Sequence, residues 1–221
     1  MGVKAILFDL DGTLLDTLGD IADCANYALA SLGYGVHQAD AYKYFVGSGV
    51  DKLIERIIPP ETRGFDAAAR VKRVYLEYYS AHLFDKTRPY DGIPDLLRAL
   101  EKTPLRLAVV SNKPDDQAKF AISRYFGGDT FDIVIGGMDG VPLKPDPTIT
   151  RRVLRELSVA SSEAMYVGDT GIDMRTAKNA GCISVGVTWG FRPDEVRAAG
   201  ADYIIDSPEE LLKLPDLGGI I

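Results

Sequence analysis

Residues 8–17 of the chain read FDLDGTLLDT, so Asp9 and Asp11 stand one residue apart at the end of an apolar run. Alternate positions of an extended strand project to the same face, which holds the two carboxylates close. Like charges at that range repel, and a metal ion, a lysine or a shared proton has to compensate. Three later stretches offer the means: Ser111, Asn112 and Lys113 behind LRLAVV, Lys144 in KPDP, and Asp169 with Asp173 in GDTGID. Asp169 and Asp173 are four residues apart, on one face of a first helical turn. Together with Asp9 and the Asp11 region they present hard oxygen donors, which suit Mg²⁺ and suit soft metals poorly. The cation and Lys144 neutralise this cluster and leave a field that holds a phosphate monoester.

These residues need a scaffold that brings four distant segments to one edge. Val3–Phe8, Leu105–Val110, Phe131–Gly136, Ala164–Gly168 and Cys182–Val187 read as buried strands, with a weaker one at DYII. The segments IPDLLRALEK, DDQAKFAISRYF, TITRRVLREL and MRTAKNAG between them carry helical spacing. Strand and helix in alternation predict an α/β fold, a doubly wound parallel sheet of Rossmann-like type, with ligands beyond the carboxyl ends of its strands. From Asp16 to Asp85 no strand is expected, and every periodic segment reads as helix. The predicted division is a core of residues 1–15 and 86–221 with an inserted helical cap at 16–85.

Within 221 residues, 25 basic and 32 acidic side chains give a net charge of −7. That balance argues against nucleic acid and anionic membranes as partners. No apolar run reaches spanning length. Two cysteines make no disulfide framework, so a reduced, cytoplasmic setting is expected. His37 and His82 lie near no Cys or acidic cluster and read as surface residues.

FDLDGTLLDT, the Ser111-Asn112 pair, KPDP and GDTGID, in this order, resemble the four motifs of the haloacid dehalogenase-like hydrolase superfamily. VGSGVDKLIER, GGMDGVPLKPDP and VTWGFRP resemble its phosphoglycolate phosphatase-like branch. The resemblance implies a phosphatase of small phosphorylated metabolites with Asp9 as nucleophile and Asp11 as general acid and base. Ser111 is then a phosphoryl ligand, and Lys144 neutralises charge beside the nucleophile. Mg²⁺ is expected on Asp9, the Asp11 main-chain carbonyl, Asp169 and Asp173. Pyrophosphatase, sugar phosphomutase and a non-catalytic phosphometabolite-binding module are the alternatives, and the chain is expected as monomer or homodimer.

Substrate selection falls to the cap in this reading. Gly47 and Ser48 are expected in a tight turn with exposed amides, and Lys52 and Arg56 as cations for a second negative group. Asn112 and Lys113 are the candidates from the core side. Tyr75, Tyr78 and Tyr79 are expected as helix packing with exposed hydroxyls, and Trp189 is open between core and site rim.

Overall fold

The computed structural model describes residues 2–60 and 65–218. Six parallel strands form one sheet: β1 (Ala5–Phe8), β4 (Arg106–Pro114), β5 (Ile133–Gly137), β6 (Ala164–Gly168), β7 (Ile183–Val187) and β8 (Tyr203–Ile205), in the order β5-β4-β1-β6-β7-β8. Helices α5 (Ile93–Leu100), α6 (Asp115–Phe126), α7 (Thr148–Leu157), α8 (Gly171–Ala180) and α9 (Pro193–Ala198) connect them. The fold is α/β and Rossmann-like, as the alternating pattern predicts.

The strand residues divide between two faces. Ile6, Phe8, Leu107, Val109, Met165, Val167, Val185 and Val187 pack on one side, against α5 and α6. Ala5, Leu7, Ala108, Val110, Ala164 and Tyr166 pack on the other, against α7 and α8. Burial on both faces is the reason these strands read as continuous apolar runs rather than as alternating ones. Leu7 is fully buried in the central strand. Leu7→Ala is expected to lower the unfolding free energy by about 2–5 kcal/mol, measured by urea denaturation.

Residues 18–83 build their own core. Helices α1 (Leu18–Ser31), α2 (Tyr42–Phe45), α3 (Val50–Ile57) and α4 (Phe65–Ala81) enclose Ile21, Ala25, Leu29, Tyr42, Leu53, Ile54, Val71 and Tyr75. Phe191 joins this cluster from the sheet side. The chain enters and leaves the helical block through two short strands not anticipated from sequence, β2 (Leu15–Asp16) and β3 (Arg88–Pro89), paired antiparallel. Two residues per strand are too few for a hydrophobic pattern to show. Buried Asp20 fastens this crossing, accepting the backbone N–H of Lys86 and of Thr87 at 2.8 Å each. No helix among the described residues is long and apolar enough to cross a membrane.

Candidate active site

Parallel register sets where the functional residues emerge. Phe8 is paired with Val109 on one side and Val167 on the other. Asp9 follows Phe8 directly, while Ser111 and Asp169 lie two residues beyond its partners, so all three leave the sheet at one level. Lys144 arrives on the loop before α7, across a cis Lys144–Pro145 bond. Its backbone is held by Asn112, whose Oδ1 accepts the Lys144 N–H at 2.8 Å and whose Nδ2 donates to the Lys144 carbonyl at 3.1 Å.

The Lys144 ammonium lies 2.7 Å from Asp9 Oδ1 and 2.8 Å from Asp173 Oδ1. Asp173 Oδ2 accepts the Thr170 N–H at 3.0 Å and the Thr170 hydroxyl at 2.7 Å, which ties the carboxylate to the start of α8. Asp169 accepts the Thr13 hydroxyl at 3.2 Å and the Phe191 N–H at 2.8 Å. One carboxylate oxygen from each of Asp9, Asp169 and Asp173 lies within 4.8 Å of the others. The Asp11 carboxylate stands outside this cluster. Gly12, at φ +91°, approaches Asp169 so closely that a Cβ there would lie 2.3 Å from Oδ2. Only glycine allows that contact together with that backbone conformation.

Three buried carboxylates thus face one buried ammonium. Burial pushes the Asp9 carboxyl up to about 7, against the pull of Lys144 and with help from Asp173 and Asp11. Asp169 is raised well above the carboxylate range, first by burial and then by Asp173 and Asp9. Burial alone would lower the Lys144 ammonium, but Asp173 and Asp9 outweigh it and hold it well above its usual value. A donor set of hard oxygens carrying more negative charge than its lysine cancels is chemically suited to a divalent cation.

Above the cluster lies a cavity of about 50 Å³ between the sheet edge and the helical block. Asp9, Asp11, Ser111, Asn112 and Lys113 line it from below; Val46, Gly47, Gly49, Leu53, Tyr75 and Tyr79 line it from above. Asn112 Nδ2 also donates to the Gly47 carbonyl at 2.9 Å, so its amide positions two backbone segments. Lys113 Nζ contacts Asp11 Oδ1 at 3.0 Å and donates to the Tyr79 hydroxyl at 2.7 Å.

Several expectations for the helical block need correction. Lys52 is exposed and paired with Glu55 at 2.6 Å, away from the cavity lining. Arg56 turns back on its own block, donating to the Phe45 carbonyl at 2.8 Å and to the Ser48 hydroxyl at 3.0 Å. Ser48 is thereby engaged by Arg56 and is not in the cavity lining either. The reason is the apolar face of α3: Leu53, Ile54 and Ile57 must point inward, which carries Lys52 and Arg56 elsewhere. Tyr75 and Tyr79 are buried and line the cavity rather than exposing their hydroxyls, and the Tyr79 hydroxyl meets Lys113.

Trp189 belongs to the site's support, its Nε1 donating to the Thr13 carbonyl at 3.0 Å. Sequence reasoning passed over Thr13, Phe191 and Gln117. Thr13 stood inside the first motif and Phe191 beside GFRP, but Gln117 carried no signal beyond a helical pattern.

Known proteins resemble this chain in sequence and fold. A haloacid dehalogenase-like hydrolase family profile matches residues 6–187. The phosphoglycolate phosphatase of Vibrio parahaemolyticus is 31% identical over 218 residues, covering 96% of each chain. That of Neisseria meningitidis is 35% identical, covering 95% of this chain and 92% of its own. A crystal structure from Lactobacillus delbrueckii subsp. bulgaricus, provisionally assigned as a phosphoglycolate phosphatase, superposes with a TM-score of 0.89 at 33% identity, covering 96% of this chain and 97% of its own. A family profile matching residues 6–187, with relatives at these identities covering most of both chains, makes this chain a member of the haloacid dehalogenase-like hydrolase family, in its phosphoglycolate phosphatase-like branch.

Proposed function

We propose that the protein is a Mg²⁺-dependent phosphatase of small phosphorylated metabolites, with phosphoglycolate the foremost substrate, acting through an aspartyl-phosphate. The observation that carries this reading is Asp9, which lines the cavity while its Oδ1 is bound to Lys144. The names of the relatives support the substrate.

With Oδ1 engaged by Lys144, Oδ2 of Asp9 attacks phosphorus, forming the new P–O bond as the ester P–O bond breaks. Asp11 protonates the departing oxygen, then takes a proton from the water that hydrolyses the aspartyl-phosphate and restores Asp9. Ser111 and neighbouring N–H groups hold phosphoryl oxygens, and Lys144 balances charge beside the nucleophile. Asp9, Asp169, Asp173 and the Asp11 carbonyl would hold Mg²⁺, which when bound supplies further neutralisation of the phosphoryl charge.

Residues 16–85 act as the cap in this reading, and 1–15 with 86–221 as the core; 61–64 and 219–221 lie outside the described residues. The separate apolar cluster and the paired crossing strands support that division. The Asn112–Gly47 and Lys113–Tyr79 bonds span cap and core and describe the closed arrangement, which shields the first step from water. A reducing cytoplasm suits the buried, unpaired Cys24 and Cys182.

Phosphate release from a panel of metabolites, with and without chelator, tests the function. Phosphoglycolate should lead and the chelator should abolish turnover. Preference for pyrophosphate, or release indifferent to the chelator, would overturn the reading.

Acid titration gives an independent check of the metal. A carboxyl raised in the folded state contributes stability below its unfolded value, near 3.8 for Asp9, and loses it as the pH climbs through about 7. Metal-free protein should therefore lose thermal stability between about pH 4 and 7 through Asp9. Added Mg²⁺ should raise Tm more at pH 8 than at pH 5, and an equal rise at both would count against this site.

A further inference from the structure

A carboxylate that exchanges a proton with a leaving group has to present one chosen oxygen, and free rotation of its side chain works against that. Among the described residues, Lys113 is the one side chain bonded to the Asp11 carboxylate, its Nζ lying 3.0 Å from Oδ1. A lysine ammonium sits on a flexible four-carbon stem, so this single contact would leave both groups loose. A second contact removes the freedom: the same Nζ donates to the Tyr79 hydroxyl at 2.7 Å, with the lysine side chain 3% exposed.

Tyr79 belongs to the helical block, near the end of α4 (Phe65–Ala81). Its ring stacks on Tyr75, with centroids 5.2 Å apart and planes 13° from parallel, inside the apolar cluster that holds Ile21, Leu53 and Val71. The block therefore sets where the Tyr79 hydroxyl stands, and the sheet sets where Lys113 and Asp11 stand. Packing alone needs only the ring. The buried hydroxyl aimed at an ammonium is the part of Tyr79 that the apolar cluster does not use.

We propose that Tyr79 is a positioning residue for the acid–base carboxylate: its hydroxyl fixes Lys113, Lys113 grips Asp11 Oδ1, and Oδ2 is thereby turned to the leaving oxygen. The proposal deepens the phosphatase reading and rests on it. Phosphoglycolate needs this arrangement, because its P–O bond breaks with the electron pair on an alkoxide oxygen, which takes the proton from Asp11 Oδ2. Acetyl phosphate, of nearly the same size, releases acetate, a stable anion that takes no proton as it departs.

The test measures kcat/KM of wild type and Tyr79→Phe with both esters, since this constant covers the steps through formation of the aspartyl-phosphate. Tyr79→Phe should cost about tenfold with phosphoglycolate and less than about twofold with acetyl phosphate. In an Asp11→Asn background the same change should cost phosphoglycolate less than about twofold, because the group it positions is gone. The ratio between esters does not depend on the folded fraction of a variant, so poor folding cannot imitate the effect. Equal loss with both esters would make Tyr79 a packing residue. A tenfold loss that persists in Asp11→Asn would make it act on the substrate instead, and an unchanged phosphoglycolate value would show that the hydroxyl positions nothing. Each of these overturns the positioning role and leaves the phosphatase reading intact, whereas a wild type that turns over neither ester would overturn both together.

Discussion

Asp9→Asn is expected to lower phosphatase turnover by about 10⁴-fold or more, because in the proposed mechanism it removes the nucleophile and leaves only positioning and charge stabilisation. The same substitution is expected to make the metal-free protein more stable. Burial holds the Asp9 carboxyl near 7, against Lys144, with Asp173 and Asp11 adding to the rise. At pH 8 the folded protein therefore carries a charge it accommodates poorly. The neutral amide relieves that repulsion, while Asp173 keeps its 2.8 Å contact with Lys144. The gain should be about 1–3 kcal/mol, or a few degrees in Tm for a chain of this length. Opposite signs for activity and stability at one residue are what a site assembled against its own electrostatics produces. Steady-state assays beside thermal scans in chelated buffer measure both, and turnover within tenfold of wild type would remove Asp9 from the covalent role.

Lys144→Met should move stability the other way. Among the described residues, its ammonium is the one positive group in contact with Asp9 and Asp173, at 2.7 and 2.8 Å, with its side chain 3% exposed. Methionine fills the volume but leaves buried carboxylates without their partner, a change that costs about 3–5 kcal/mol for buried pairs. At pH 8 without metal, a Tm roughly 10 °C lower is expected. Toward pH 5 the deficit should shrink, because Asp9 and Asp169, both raised by burial, take up protons and no longer need the lysine. Turnover should fall about 10²–10³-fold even with saturating Mg²⁺, since in the proposed mechanism Lys144 also balances charge beside the nucleophile. A variant as stable as wild type in chelated buffer at pH 8 would show that the pair contributes nothing to the fold.

Both expectations concern residues that sequence alone brings together. An apolar run such as AMYVG can only be a buried strand, and repeated strand–helix alternation makes the sheet parallel. Parallel strands end on the same side, so Asp9, Ser111 and Asp169 had to share an edge. The α6 and α7 spans, Asp115–Phe126 and Thr148–Leu157, coincide with the segments read from helical spacing. Asn112 was legible as a site residue, but its role was not. Its amide holds the Lys144 and Gly47 backbones, partners 32 and 65 residues away.

The roof of the cavity was not legible. VDKLIERI offers Lys52 and Arg56 on paper, yet burial of Leu53, Ile54 and Ile57 turns both cations away from the cleft. Tyr79 and Gln117 look like ordinary helix residues and line the cavity only because α4 and α6 both reach it, Tyr79 accepting there from Lys113. Local sequence determined the strands, their common edge and the four motifs upon it, because hydrophobic period and chain order act at short range. Tertiary structure alone decided which groups from the helical block reach that edge, because the rotation of each helix is set by the apolar face it must bury against partners far away in the chain.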